Sequence, residues 1–179
     1  MGIRDSLLYL CGWEHLNVSV DSKRVTDGIK NIMNIKPGDS ILEVACGAGF
    51  LSREFSEYDF AGVDYSKSLV KKHKELFPEH TVEVPESNSL PFQSSSFDKV
   101  FASGLFQYLP DLNYALQTIE EMCRVAREGV LLADLKENAT HEYHMIIPKG
   151  ILRELDFTFS ECIYSDDSTN FNAYLKLDG

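Results

Sequence analysis

Residues Ile41 to Phe55 read ILEVACGAGFLSREF, and this stretch decides the fold. The apolar run of Ile41, Leu42 and Val44 is broken by one carboxylate, Glu43. Small residues follow, from Ala45 through Cys46, Gly47 and Ala48 to Gly49, and the segment from Ala48 to Ser56 has helical character. A buried strand that meets a helix through such a turn is the opening unit of a parallel α/β sheet. In those sheets ligands bind beyond the carboxyl ends of the strands, where the winding reverses. Small side chains let the backbone approach a ligand closely. Many turns of this kind seat a phosphate on the following helix N-terminus. Glu43 argues against that here, because a carboxylate about 4 Å from a phosphate costs roughly 4 kcal/mol at an effective dielectric of 20. The turn is built for a compact ligand that carries positive charge. The dinucleotide pattern GxGxxG is met only in part: Gly47 and Gly49 are present, but position 52 is Ser.

Outward from this stretch, strands and helices alternate. Val25, Ile29, Ile32 and Met33 form a helical stripe, stopped by the turn Lys36-Pro37-Gly38-Asp39. Strands are expected over Ser40 to Val44, Phe60 to Asp64, Thr81 to Val84, Phe97 to Ser103 and Val130 to Asp134. Ser66 can cap a helix whose Leu69, Val70, His73, Leu76 and Phe77 share a face. Leu112, Ala115, Leu116, Ile119, Met122, Cys123 and Ala126 mark the clearest helix, expected to end at Gly129. A short helix is expected over Gly150 to Leu155. Two strands close the chain, Thr158 to Tyr164 and Phe171 to Leu177. The six polar residues between them cannot hold a crossover helix, so these two pair antiparallel. The fold class is α/β: a doubly wound, mostly parallel seven-stranded sheet with a C-terminal antiparallel hairpin and helices on both faces.

The 179-residue chain suggests one domain and buries about 70% of its unfolded surface. Residues 21–179 form that domain, and residues 1–20 lie outside its core as an N-terminal segment. A net charge of −11 repels phosphate backbones and anionic lipid, so nucleic acid and membrane are poor partners. The apolar run near the N-terminus is far too short to span a bilayer. The four cysteines, at positions 11, 46, 123 and 162, form no CxxC pair and no zinc spacing with the histidines, which points to buried thiols in a reducing cytoplasm and to no metal.

EVACGAG, Glu43 to Gly49, resembles the E/D-x-G-x-G-x-G loop of class I S-adenosylmethionine-dependent methyltransferases, with Ala45 at the first glycine. GVDYS, Gly62 to Ser66, resembles the end of that family's second strand. ESNSLPFQSSSFDKV, Glu86 to Val100, resembles its D-A-x-x-L-P-F-x-x-x-x-F-D-x-V segment, and ASGLFQYLPD, Ala102 to Asp111, the loop after its fourth strand. The resemblance implies S-adenosyl-L-methionine as cofactor and S-adenosyl-L-homocysteine as product. It implies a site formed by Glu43, Ala45, Cys46, Gly47 and Gly49, with Asp64 on the ribose and Tyr65 along the adenine. Glu86 and Ser87 meet the adenine edge, and Ser103 flanks the methionine part.

Methyl transfer needs alignment of acceptor and methyl more than it needs an acid or base. An alcohol acceptor would need a base, and the sequence singles out none. His141 and His144 lie in the loop after the fifth strand, where they either face the acceptor or are solvated. Tyr108 follows the fourth strand and either meets the acceptor or packs, and Asp134 either nears the site or caps its loop. HEYH lacks the spacing of a zinc helix. Tyr9, Trp13 and His15 concentrate in the first twenty residues and are expected in a helical lid over the acceptor. The loop after the fifth strand is short, so the pocket is open and is completed by that lid or by a second subunit in a homodimer. The expected activity is methylation of a small-molecule acceptor, on oxygen or nitrogen of a metabolite or sugar-like substrate. The competing readings are a non-catalytic cofactor-binding partner subunit and, more remotely, a nicotinamide-dependent oxidoreductase.

Overall fold

The computed structural model describes residues 21–164 and 169–177. Helix α1, Ser22–Met33, starts on the Asp21 carboxylate, which accepts from the Lys23 N–H at 3.0 Å. It leads to β1, Ser40–Val44, every residue of which is buried. The chain continues through β2, Asp59–Val63, α2, Lys67–Leu76, and β3, Thr81–Glu83. Ser66 caps α2, its hydroxyl accepting from the Leu69 N–H at 3.4 Å. Then come β4, Phe97–Ser103, α3, Leu112–Val125, and β5, Ala126–Leu135. Helix α4, Lys149–Glu154, precedes a hairpin of β6, Thr158–Glu161, and β7, Phe171–Lys176.

The strands form one seven-stranded sheet in the order β3-β2-β1-β4-β5-β7-β6. The first five run parallel, β7 runs antiparallel to β5, and β6 pairs antiparallel with β7. The doubly wound sheet with its closing hairpin is therefore the expected one. Winding moves outward from β1 to β3, then returns to β4 and proceeds to the other edge. The reversal lies between β1 and β4, which opens a crevice at their carboxyl ends.

Strand alternation sends side chains to two cores. Leu42, Val44, Val100, Ala102, Val130 and Leu132 pack under Ala115, Ile119, Met122 and Val125 of α3. Ile41, Phe101, Leu131 and Ala133 pack under Val25, Ile29 and Met33 of α1. Glu43 sits between Leu42 and Val44 and is buried with them.

Two expectations fail on local geometry. The segment from Ala48 to Ser56 holds only a 3-10 turn, Ser52–Phe55. Gly49 has φ +92°, which a right-handed helix does not allow, and Ala48, Phe50 and Leu51 are buried instead in the α1-side core. Gly129 does not end α3. The helix passes directly into β5 at Ala126, and Gly129 pairs with Lys176 inside the sheet. A Cβ there would lie 2.5 Å from the Tyr174 hydroxyl, so any larger residue would push that ring aside. Among the described residues, no helix is long and apolar enough to cross a membrane.

Candidate functional site

The loop that leaves β1 takes three left-handed steps, at Ala45 (φ 66°), Gly47 (φ 53°) and Gly49 (φ 92°). Alanine pays roughly 1 kcal/mol for such a conformation, so the loop must be held from outside. The Cys46 N–H donates to the Val63 carbonyl at 3.0 Å, and the Gly49 N–H donates to the Cys46 carbonyl at 3.1 Å. A Cβ on Gly49 would lie 2.6 Å from the Phe77 ring, so this glycine answers both a backbone and a packing demand.

Two acids sit at the loop. Asp64, directly after β2, is 7% exposed. Its Oδ2 accepts from the Gly47 N–H at 2.9 Å, and its Oδ1 from the Ser66 N–H at 2.9 Å. Burial pushes its carboxyl above the usual range, and these two backbone donors pull it partly back. Each carboxylate oxygen keeps a second lone pair, so both can still accept from ligand hydroxyls. Glu43 is 3% exposed, and its Oε2 has no hydrogen-bond partner among the described residues. Burial, and next the neighbouring Asp64, push its carboxyl well above the usual range.

A buried acceptor without a donor is costly. A hydrogen-bond donor brought by a ligand would resolve it. An ammonium or similar group beside Glu43 would supply both charge and N–H bonds, whereas a pyrophosphate would add like charge. A ligand with a positive pole therefore suits this end of the loop better than a pyrophosphate does.

Beside Asp64 lies a cavity of about 330 Å³, within the size range of small-molecule sites. It gathers residues from four separated stretches: Ala45, Asp64, Tyr65, Glu86, Ser87 and Tyr108 all line it. Val44, Leu105 and Leu109 supply apolar wall. Tyr65, 77% exposed, stands at the rim. The Glu86 carboxylate accepts from the Tyr114 hydroxyl at 2.7 Å, and the Ser87 and Thr118 hydroxyls share a hydrogen bond at 3.0 Å. Helix α3 thus fixes both groups expected at an adenine edge.

Other anticipated residues lie elsewhere. Cys46 packs with Val70 and Val82 behind the loop. Gly47 and Gly49 are buried and do not line the cavity. The Ser103 hydroxyl bonds the Tyr164 hydroxyl, and burial holds that phenol well above its usual range. Asp134 has φ 59° and accepts from Asn170 Nδ2 at 2.7 Å and Cys162 Sγ at 3.6 Å, so its carboxyl ties β5 to the closing hairpin. His141 and His144 stand with Tyr143: the His141 and Tyr143 rings stack at 5.1 Å, and Tyr108 meets His144 edge-on at 5.5 Å. Tyr9, Trp13 and His15, with the lid expected of residues 1–20, fall outside the described residues.

Tyr114, Tyr143 and Tyr164 were not anticipated. Tyr114 lies three residues after the α3 cap Asp111, off the apolar stripe, which was its only signal. No periodicity marks Tyr164.

Residues 41–129 match the family described as methyltransferase domain. The chain is 26% identical over 145 residues to a demethylmenaquinone methyltransferase of Renibacterium salmoninarum, across 79% of this chain and 58% of that protein. It spans about half the length of the curated relatives it matches. Among solved structures, a SAM-dependent methyltransferase from Aquifex aeolicus superposes with a TM-score of 0.64 at 18% identity, over 87% of this chain and 98% of that one. Magnesium protoporphyrin IX methyltransferase from Synechocystis, solved with bound SAH, gives a TM-score of 0.64 at 13% identity, over 87% and 81%.

Proposed function

We propose, for a chain that is a member of the class I S-adenosylmethionine-dependent methyltransferase family and matches its methyltransferase domain over residues 41–129, that it methylates a small, planar organic acceptor at the crest of the sheet. S-adenosylmethionine is the cofactor, and when bound it supplies a methyl group already activated by its sulfonium. Asp64 and Glu86 would hold the ribose and the adenine, with Tyr65 and Ser87 beside them. Glu43 would balance the positive pole. The observation that carries this reading is the cavity in which Asp64 keeps acceptor sites open, with the buried Glu43 carboxylate, unpartnered at Oε2 among the described residues, one residue before the lining pair Val44 and Ala45.

On the acceptor side, Tyr108 lines the cavity and is 64% exposed, and Tyr143 is 65% exposed. With His141 and His144 they make a cluster of rings reaching outward from the cavity. Such a surface stacks on flat, unsaturated molecules. The relative whose name specifies demethylmenaquinone supports an acceptor of that kind. Alignment against these rings can supply several kcal/mol of rate acceleration without a base. Where the acceptor is a phenol, His144 could take its proton only after its ring turns outward, since Nδ1 lies 3.0 Å from the Thr140 hydroxyl and Nε2 is buried without a partner among the described residues.

The test is calorimetric titration with S-adenosylhomocysteine, followed by transfer of labelled methyl from S-adenosylmethionine to a panel of phenols, quinols, amines and sugars. Micromolar binding with turnover confined to the aromatic acceptors supports the reading. Turnover confined to sugars overturns the acceptor class, and absence of binding overturns the cofactor site.

A further inference from the structure

Behind the glycine loop runs a buried chain of polar groups that the cofactor reading leaves unused. His73, on α2, is fully buried. Its Nδ1 lies 3.1 Å from the Gly47 carbonyl oxygen. Its Nε2 faces the Ser52 hydroxyl at 3.3 Å and His80 Nδ1 at 3.1 Å. His80 is buried in turn, and its Nε2 has no hydrogen-bond partner among the described residues, with Glu79 Oε1 at 3.8 Å. The Phe60 and Phe77 rings pack on the pair, at 4.7 Å from His80 and 5.5 Å from His73. None of these residues lines the cavity.

The protons can be assigned from the partners. A carbonyl only accepts, so Nδ1 of His73 carries the proton and Nε2 of the neutral ring accepts. Burial holds His73 down to about 4, so the ring is neutral at ordinary pH. The Gly47 N–H belongs to the peptide plane before its Cα and is taken by Asp64. The Gly47 carbonyl belongs to the plane after it and is taken by His73. Between them these two side chains set both torsions of the central left-handed glycine.

We propose that His73 is a positioning residue for the cofactor loop: by donating from Nδ1 to the Gly47 carbonyl it completes, with Asp64, a two-sided clamp that presets the loop for its ligand. This rests on the cofactor reading above. It adds that a side chain on α2, with no contact to the ligand, sets cofactor affinity through a backbone carbonyl.

Two substitutions separate this role from simple packing. Asparagine places its amide N–H where Nδ1 stands, and glutamine places its amide oxygen, an acceptor, where Nε2 stands. His73→Asn therefore keeps the Gly47 bond and loses Ser52 and His80, whereas His73→Gln does the reverse. Both remove ring volume and lower the melting temperature. For S-adenosylhomocysteine measured by calorimetry, H73Q is expected to bind about tenfold more weakly and H73N within about threefold of the unaltered protein, the difference of one buried hydrogen bond. In ligand-free protein the Gly47 amide should exchange hydrogen faster in H73Q than in H73N. Equal affinities and equal exchange in the two variants overturn the clamp. The unaltered protein gives an independent check, because the imidazole ¹⁵N resonances of His73 must report the Nδ1–H tautomer, and the Nε2–H tautomer overturns the proposal before any variant is made. Absence of S-adenosylhomocysteine binding by the unaltered protein would instead overturn the cofactor reading, while exchange and tautomer still decide the clamp.

Discussion

Replacing Glu43 by Gln should move ligand-free stability and cofactor affinity in opposite directions. In the folded chain Glu43 is buried without a partner for Oε2 among the described residues, and its carboxyl titrates well above its usual range. The folded state therefore holds a proton that the unfolded state has released. Stability contributed by Glu43 is full at low pH and is lost as pH rises from the ordinary carboxylate value through the raised one. Glu43→Gln removes that loss, so the ligand-free variant should melt higher than the unaltered protein at pH 8 and about the same at pH 4.5. A cationic ligand reverses the balance. A unit charge pair about 4 Å apart is worth roughly 4 kcal/mol at an effective dielectric of 20. Part of this goes into ionising the carboxyl. If about 2 kcal/mol remains, E43Q binds S-adenosylhomocysteine roughly 30-fold more weakly. The unaltered protein should bind more tightly as pH rises and Glu43 ionises, while E43Q loses this part of the pH dependence. Thermal melts and calorimetry at both pH values check each half. A variant that binds within twofold of the unaltered protein, or that melts lower when ligand-free at pH 8, refutes the placement of a cation beside Glu43.

Asp64→Ala removes the acceptor for two backbone N–H groups, each at 2.9 Å. Hydrogen bonds to a charged group are worth about 1.5–3 kcal/mol each, so chemical denaturation should show at least about 2 kcal/mol lost and calorimetry at least a 100-fold loss of cofactor affinity. Gly49→Ala, with its Cβ driven to 2.6 Å from the Phe77 ring at a φ of +92°, should cost roughly 2 kcal/mol in the same denaturation assay. His73 is held down to about 4, chiefly by burial. Its contribution to stability is whole above the ordinary histidine value and should fall, by up to about 3 kcal/mol, as pH drops from about 6.5 toward 4. Denaturant midpoints across that range, compared with H73N, isolate this term.

The sheet was legible because its strands are short apolar runs between polar turns, and because its helices carry their stripes at the right period. Val25, Ile29 and Met33 on α1 and Ala115, Ile119 and Met122 on α3 are buried where the spacing put them. The boundary errors share one cause. Glycines were read as backbone signals, but Gly129 is small so that Tyr174 can pack on it, a contact between β5 and β7 that no local pattern records. The turn at Gly49 likewise displaced an expected helix through a torsion the sequence only hints at. In the candidate site, Ala45 and Asp64 follow strand ends, where motif order puts them, and both line the cavity. Tyr114, which holds Glu86, and Tyr164, which holds Ser103, reach their partners across the tertiary structure. The His73–Gly47 bond spans 26 positions, and the helical stripe had marked His73 only as a core-facing residue.

The most direct measurement is a crystal structure of the protein soaked with S-adenosylhomocysteine. The account predicts ribose hydroxyls on the Asp64 carboxylate, adenine between Tyr65 and the Glu86–Ser87 segment, and the amino group within reach of Glu43. Density for a diphosphate over residues 45–49 when the crystals are soaked with NAD, or an adenosine lying outside the Asp64 cavity, would contradict it.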